Sequence, residues 1–320
     1  MKVAAPTPNS PMATWSTSWP ILVRSSTPQL DRRTSLPLNV DYLRPSAITH
    51  NLPAMGDLFD ITQSGLPGSE PVPQEKFLPL PVLAVPVASR RSYAKKLYIA
   101  GGSMGTVPAQ ILYGASYDVF PLGRRIVALL LIAPFSPFHH HKRYTHYLPW
   151  GNYFAVGPPA SLVPFNLIPR AMKIIIQRKL RTLEGATAFV HQFLFSKMDE
   201  SERETFQKWR HQRGLAEGQL EREIAQGMMR SVSKSWEGFL TMPSVLHSDW
   251  GFNPAMLDGE HMRKPMLVVM SRGDDMVPNG MAEYLLENYR NARAIHLEGG
   301  HISSIWKADE IWAEFMAMEV

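Results

Sequence analysis

The sequence predicts an α/β fold, with a mostly parallel central sheet whose two parts are separated by a long helical block. Three observations predict it. The fully apolar run Ile126–Ile132 has the pattern of a strand buried on both faces of a parallel sheet. On either side of it, strand-like and helix-like periodicities alternate along the chain. Between about residues 139 and 263 the alternation gives way to helical patterns alone, and then it resumes.

The elements follow in order. Residues 1–92 hold 14 of the 27 prolines. Proline fixes φ and removes a backbone donor, so this zone is expected to carry only short strands and turns, partly disordered. Its apolar candidates are 19–23, 46–49 and 81–88. Residues 93–138 are expected to be core, with a strand at 97–100, a helix at 107–115 whose Pro108 is tolerated in the first turn, and the strand at Ile126–Ile132. Residues 139–263 are expected to form a helical cap, with helices at 168–180, 185–195, 201–212 and 219–238, the third capped by Asp199 or Ser201. Residues 264–320 return to the core, with strands at 266–270 and Ala292–Leu297 and helices at 280–289 and 303–318.

Composition narrows the chemistry. At 320 residues the chain can bury a sizeable core. It has no cysteine, which rules out a thiolate nucleophile, a disulfide framework, an iron-sulfur cluster and a thiolate zinc site. The net charge is +5, but the basic residues come as scattered pairs such as Lys95-Lys96 and Arg124-Arg125, so no nucleic-acid partner is expected. The longest apolar run is about half the ~20 residues that cross a bilayer, so no membrane span is expected. Without an apolar stretch behind Lys2 a cytoplasmic location is expected, although residues 1–30, rich in Ser, Thr and Pro and free of acidic residues, faintly resemble a transit peptide.

The chemistry concentrates in three turns. Gly101-Gly102-Ser103-Met104-Gly105 lies directly after a strand and before a helix. A serine on such a sharp turn exposes its Oγ, and small residues two positions either side let strand and helix approach closely. The helix N-terminus behind it favours developing negative charge, and the Met104 amide is placed to donate to an oxyanion. The second turn, Ser271-Arg272-Gly273-Asp274-Asp275-Met276-Val277-Pro278, follows a strand, and the third, Glu298-Gly299-Gly300-His301, follows the last one.

In these turns the chain resembles the α/β-hydrolase superfamily, whose members carry serine, acid and histidine in that chain order. The resemblance implies Ser103 as nucleophile, Asp274 as orienting acid and His301 as base. Asp275 competes with Asp274, but Asp274 has the better turn position. His296 lies within a strand and is read as structural. The resemblance implies a serine hydrolase acting on an ester, thioester or small amide, with a hydrophobic acyl substrate and without a cofactor. An acyltransferase, a proline-iminopeptidase-like enzyme and a non-catalytic relative stay open as alternatives.

The resemblance thins before residue 93. Members usually carry a His-Gly motif that supplies the second oxyanion donor, and none precedes Ser103. Asn51-Leu52-Pro53-Ala54-Met55-Gly56 only partly matches the family's next turn. Elsewhere, His139-His140-His141 and His146 lack the spacing of metal ligands, so a solvated loop and no metal are expected. Asp199, Glu200, Glu202 and Glu204 read as a helix start complementing the dipole. Trp150, Tyr153, Phe154, Phe193, Phe195, Trp236 and Trp250 are expected to be mostly core, with a few lining a pocket.

Overall fold

The computed structural model describes residues 21–24, 83–84 and 96–318. Four strands form the centre of the sheet: β3 (Leu97–Gly102), β4 (Ile126–Ile132), β5 (Met266–Ser271) and β6 (Ala292–Leu297). They lie side by side in chain order and every neighbouring pair is parallel. Two short strands extend the edge beyond β3: β1 (Ile21–Arg24), antiparallel to β3, and β2 (Leu83–Ala84), parallel to β1. They fall within or beside the apolar candidates 19–23 and 81–88. The expected turn at 51–56 and the candidate at 46–49 lie outside the described residues.

The side-chain period of two divides the sheet's contents between two faces. On one face Ile99, Leu129, Leu131, Met266, Val268 and Met270 meet α1 (Thr106–Gly114) and, further along the chain, α10 (Asn279–Asn288). On the other, Tyr98, Ala100, Leu130, Leu267 and Val269 meet Ile311 and Phe315 of α11 (Ala308–Met316). Both faces are covered, which is why β4 reads as one apolar run.

Between β4 and β5 the chain runs through α2 (Trp150–Ala155), α3 (Pro158–Leu162), α4 (Leu167–Lys179), α5 (Leu183–Val190), α6 (Glu200–Gln212), α7 (Gln219–Ser231), α8 (Glu237–His247) and α9 (Gly259–Arg263). A π-helical turn, His191–Phe195, continues α5. The expected helix at 219–238 is two helices. Ser235 Oγ accepts from the Glu237 amide at 3.0 Å and starts α8 afresh, while the Ser233 hydroxyl bonds back to the Arg230 carbonyl at 2.8 Å. Serines that satisfy backbone groups locally compete with continuation of the helix.

Helices α5, α6 and α7 share a core of Val190, Phe195, Phe206, Leu220 and Ile224. Ile302 and Trp306, immediately beyond the last turn, belong to the same cluster. The helical segment therefore packs on the chain next to His301. The expected aromatic core is only partly realised, since Phe195 and Trp250 are buried but Trp150, Phe154 and Phe193 are 78%, 51% and 43% exposed. Trp150 and Phe154 lie on the short helix α2, whereas Phe193, in the π-helical turn, lines a cavity. Among the described residues no helix is long and apolar enough to cross a membrane.

Candidate active site

Ser103 leaves β3 at φ 50°, in the left-handed region, and opens a single 3-10 turn that runs into α1. The glycine two residues before it is enforced by contact. A Cβ on Gly101 would lie 2.4 Å from the Gly105 carbonyl oxygen and 3.0 Å from the Ala109 Cβ. The strained turn is stitched in place by Thr106, whose hydroxyl donates to the Ser103 carbonyl at 2.6 Å and accepts from the Phe135 amide at 3.1 Å. Met104 sits in the first turn, where backbone amides have no intrahelical acceptor.

The acid and histidine turns lie side by side at the ends of β5 and β6. The Gly273 amide donates to the Gly299 carbonyl at 2.9 Å, and a Cβ on Gly273 would clash with that oxygen. Gly299 itself is at φ 95°, a conformation glycine adopts freely. Asp274 Oδ1 accepts from the amides of Met276 and Val277, each at 2.9 Å. Its Oδ2 lies 2.7 Å from His301 Nδ1, and the Asp274 side chain is only 1% exposed. His301 Nε2 lies 3.0 Å from Ser103 Oγ. The structure thus brings together in one hydrogen-bonded line three residues that are up to 198 positions apart in the chain.

The two expected bystanders fall elsewhere. Asp275 is half exposed and ion-pairs with Lys197. His296 is exposed on β6. Of the histidine run, His141 departs from the expected solvated loop: it is buried, stacks on Tyr284 at 4.2 Å, and bonds through Nδ1 to Ser136 Oγ at 2.7 Å. Burial pushes its pKa down to about 4. Ser136, just beyond β4, and Tyr284 of α10 hold it there.

Sequence reasoning missed Glu202. The expected helix start is real, because Asp199 caps α6 by accepting from the Glu202 amide at 2.8 Å. Glu202, however, points inward. It is buried and accepts from the Gly300 amide at 2.9 Å, one residue before His301. Burial raises its carboxyl pKa, with the Asp199 charge adding to the rise and the Gly300 hydrogen bond opposing it. The signal available in the sequence was only an acidic residue at the third position of a helix, which a dipole accounts for. A cavity of about 430 Å³ lies beside this contact and extends from Phe193 and Lys197 across Glu202 to Arg272 and His301.

No family model matches the sequence, and no curated protein matches it. Among solved structures the chain is similar to an alpha/beta hydrolase enzyme from a Medee basin deep-sea metagenome library, at 12% identity over 71% of this chain and 67% of that one, with a TM-score of 0.39. It is also similar to a hydrolase from Pseudomonas aeruginosa PA01, at 14% identity over 70% and 66%, with a TM-score of 0.40. An esterase from Exiguobacterium antarcticum matches at 14% identity over 68% and 64%, with a TM-score of 0.38. The chain spans about two thirds of the length of these structures. The class that the chain's own coordinates define is an α/β fold with a mostly parallel sheet and a serine, a histidine and an aspartate at the ends of its strands.

Proposed function

We propose that the protein is a serine hydrolase that cleaves an ester, thioester or small amide through an acyl-enzyme on Ser103. The observation that carries the reading is the line from Ser103 Oγ through His301 to Asp274, at 3.0 and 2.7 Å. His301 Nε2 accepts the Ser103 proton as Oγ attacks the acyl carbon, and the imidazolium then protonates the leaving group. Water, deprotonated by His301, attacks the acyl-enzyme and frees Ser103. Asp274 fixes the imidazole by accepting from Nδ1–H, and its second oxygen is held by two backbone amides, so it presents one face to the ring. The Met104 amide supplies one oxyanion donor. The helical segment, read as a cap, reaches the ends of β5 and β6 through Asn152, whose side chain donates to the Met276 carbonyl, through Lys197, paired with Asp275, and through Glu202, which accepts from the Gly300 amide.

The test is labelling of the full chain with a fluorophosphonate probe. Wild type is expected to label, and Ser103→Ala and His301→Ala are expected not to. Absence of Ser103-dependent labelling in folded protein would overturn the reading in favour of a non-catalytic scaffold. An ester panel with and without added alcohol or amine acceptors then separates hydrolysis from acyl transfer.

A further inference from the structure

Among the described residues one group of three metal-ligating side chains comes together outside the site above: His139, His140 and Asp249, with ligand atoms all within 4.8 Å of one another. His139 and His140 follow β4, where the chain leaves the sheet for the helical segment. Asp249 follows α8, and its neighbour Trp250 is already packed with Ala133, Phe135 and Phe138. The cluster therefore lies where both ends of the helical segment meet the core.

We propose that His139, His140 and Asp249 bind a divalent transition-metal ion, zinc by preference, which ties the two ends of the helical segment together. Two imidazoles and one carboxylate form a borderline donor set that suits zinc better than magnesium or calcium. The side chains also have the right free atoms. His140 Nε2 is closed off from solvent and has no hydrogen-bond partner among the described residues. Asp249 Oδ1 accepts from the Gly251 amide at 2.9 Å, which fixes the carboxylate and leaves Oδ2 for a ligand.

Tetrahedral zinc with bonds of about 2.0–2.1 Å needs ligand atoms roughly 3.3 Å apart. His139 is exposed, so its side chain can close the remaining distance by a rotamer change. Lys142 brings a cation close by, but its ammonium donates to the His139 carbonyl at 2.6 Å, and the Asp249 carboxylate supplies the opposing charge. The spacing of the histidines gave no hint of this site because the third ligand comes from 109 residues further along the chain than His140.

The experiment titrates chelator-treated, tag-free, full-length protein with Zn²⁺ by calorimetry and with Co²⁺ by visible absorption. The expected result is one ion per chain, a dissociation constant in the micromolar range or tighter, cobalt d–d bands, and a Tm that rises with zinc. His140→Ala and Asp249→Asn are each expected to weaken binding by about tenfold or more, and His146→Ala is expected to leave it unchanged. The asparagine keeps an oxygen for the Gly251 amide, so loss of binding cannot be put down to a broken turn. Zinc bound as tightly by Asp249→Asn as by wild type, or no saturable binding below about 1 mM, would overturn the proposal.

Discussion

Ser103 stands at φ 50° without being a glycine. For an L-residue the left-handed region costs roughly 1–2 kcal/mol, a penalty that glycine escapes. Ser103→Ala and Ser103→Gly both remove Oγ and its 3.0 Å contact with His301, so the difference between them isolates the backbone. Glycine gains the relief of about 1–2 kcal/mol and loses about 0.4–1 kcal/mol through the freer unfolded chain. The glycine variant should therefore be more stable than the alanine variant by about 0.5–1 kcal/mol. For a chain of this size that is a Tm higher by roughly 1–4 °C. Thermal unfolding by calorimetry or circular dichroism at matched pH reads the difference, and neither variant should label with a fluorophosphonate. An alanine variant that melts at or above the glycine variant would refute the claim that the turn stores strain at Ser103.

Two further outcomes follow from the geometry. At Gly101, adding a Cβ sets it against backbone oxygen at 2.4 Å, so Gly101→Ala should lower stability by about 2–3 kcal/mol or more and reduce soluble yield, whereas Gly151→Ala, with nothing within 4 Å, should not. Glu202 has a raised pKa in the folded state, so the folded chain binds more protons than the unfolded one above the ordinary pKa of 4.5, and stability falls as pH rises through the raised value. Glu202→Gln keeps an acceptor for the Gly300 amide and removes the buried charge; its Tm should exceed that of wild type at pH 7.5, and the difference should fade on titration toward pH 4.5.

What could be read in the sequence was what local spacing encodes. Strand β4 and strand β6 were expected with the limits they have, and β3, β5, α1, α4 and α10 within one or two residues, because each carries its own periodicity and its own breakers. Ser103, Asp274 and His301 were visible because each sits in a turn whose glycines answer a backbone requirement, such as the contact at Gly101 or the positive φ at Gly299. Pairings across the chain were not visible. Nothing near Glu202 announces Gly300, and nothing near His140 announces Asp249. The exposure of Trp150 and Phe154 was equally hidden, because a short apolar helix reads the same whether or not another layer covers it.

These long-range contacts give the helical segment a direct hold on the residues of the proposed chemistry. Glu202 of α6 bonds the Gly300 amide next to His301. Lys197, just before α6, pairs with Asp275 next to Asp274. Arg213, just after α6, reaches Asp309 at the start of α11. The exposed pairs contribute little each, roughly 0–1 kcal/mol, so the buried Glu202 contact and the shared core at Ile302 and Trp306 dominate the attachment. The Glu202 hydrogen bond is buried and so less exposed to screening by solvent than these pairs, and it is made one residue from the imidazole. A displacement of α6 away from the sheet must therefore either break the Glu202 contact or carry the His301 turn with it.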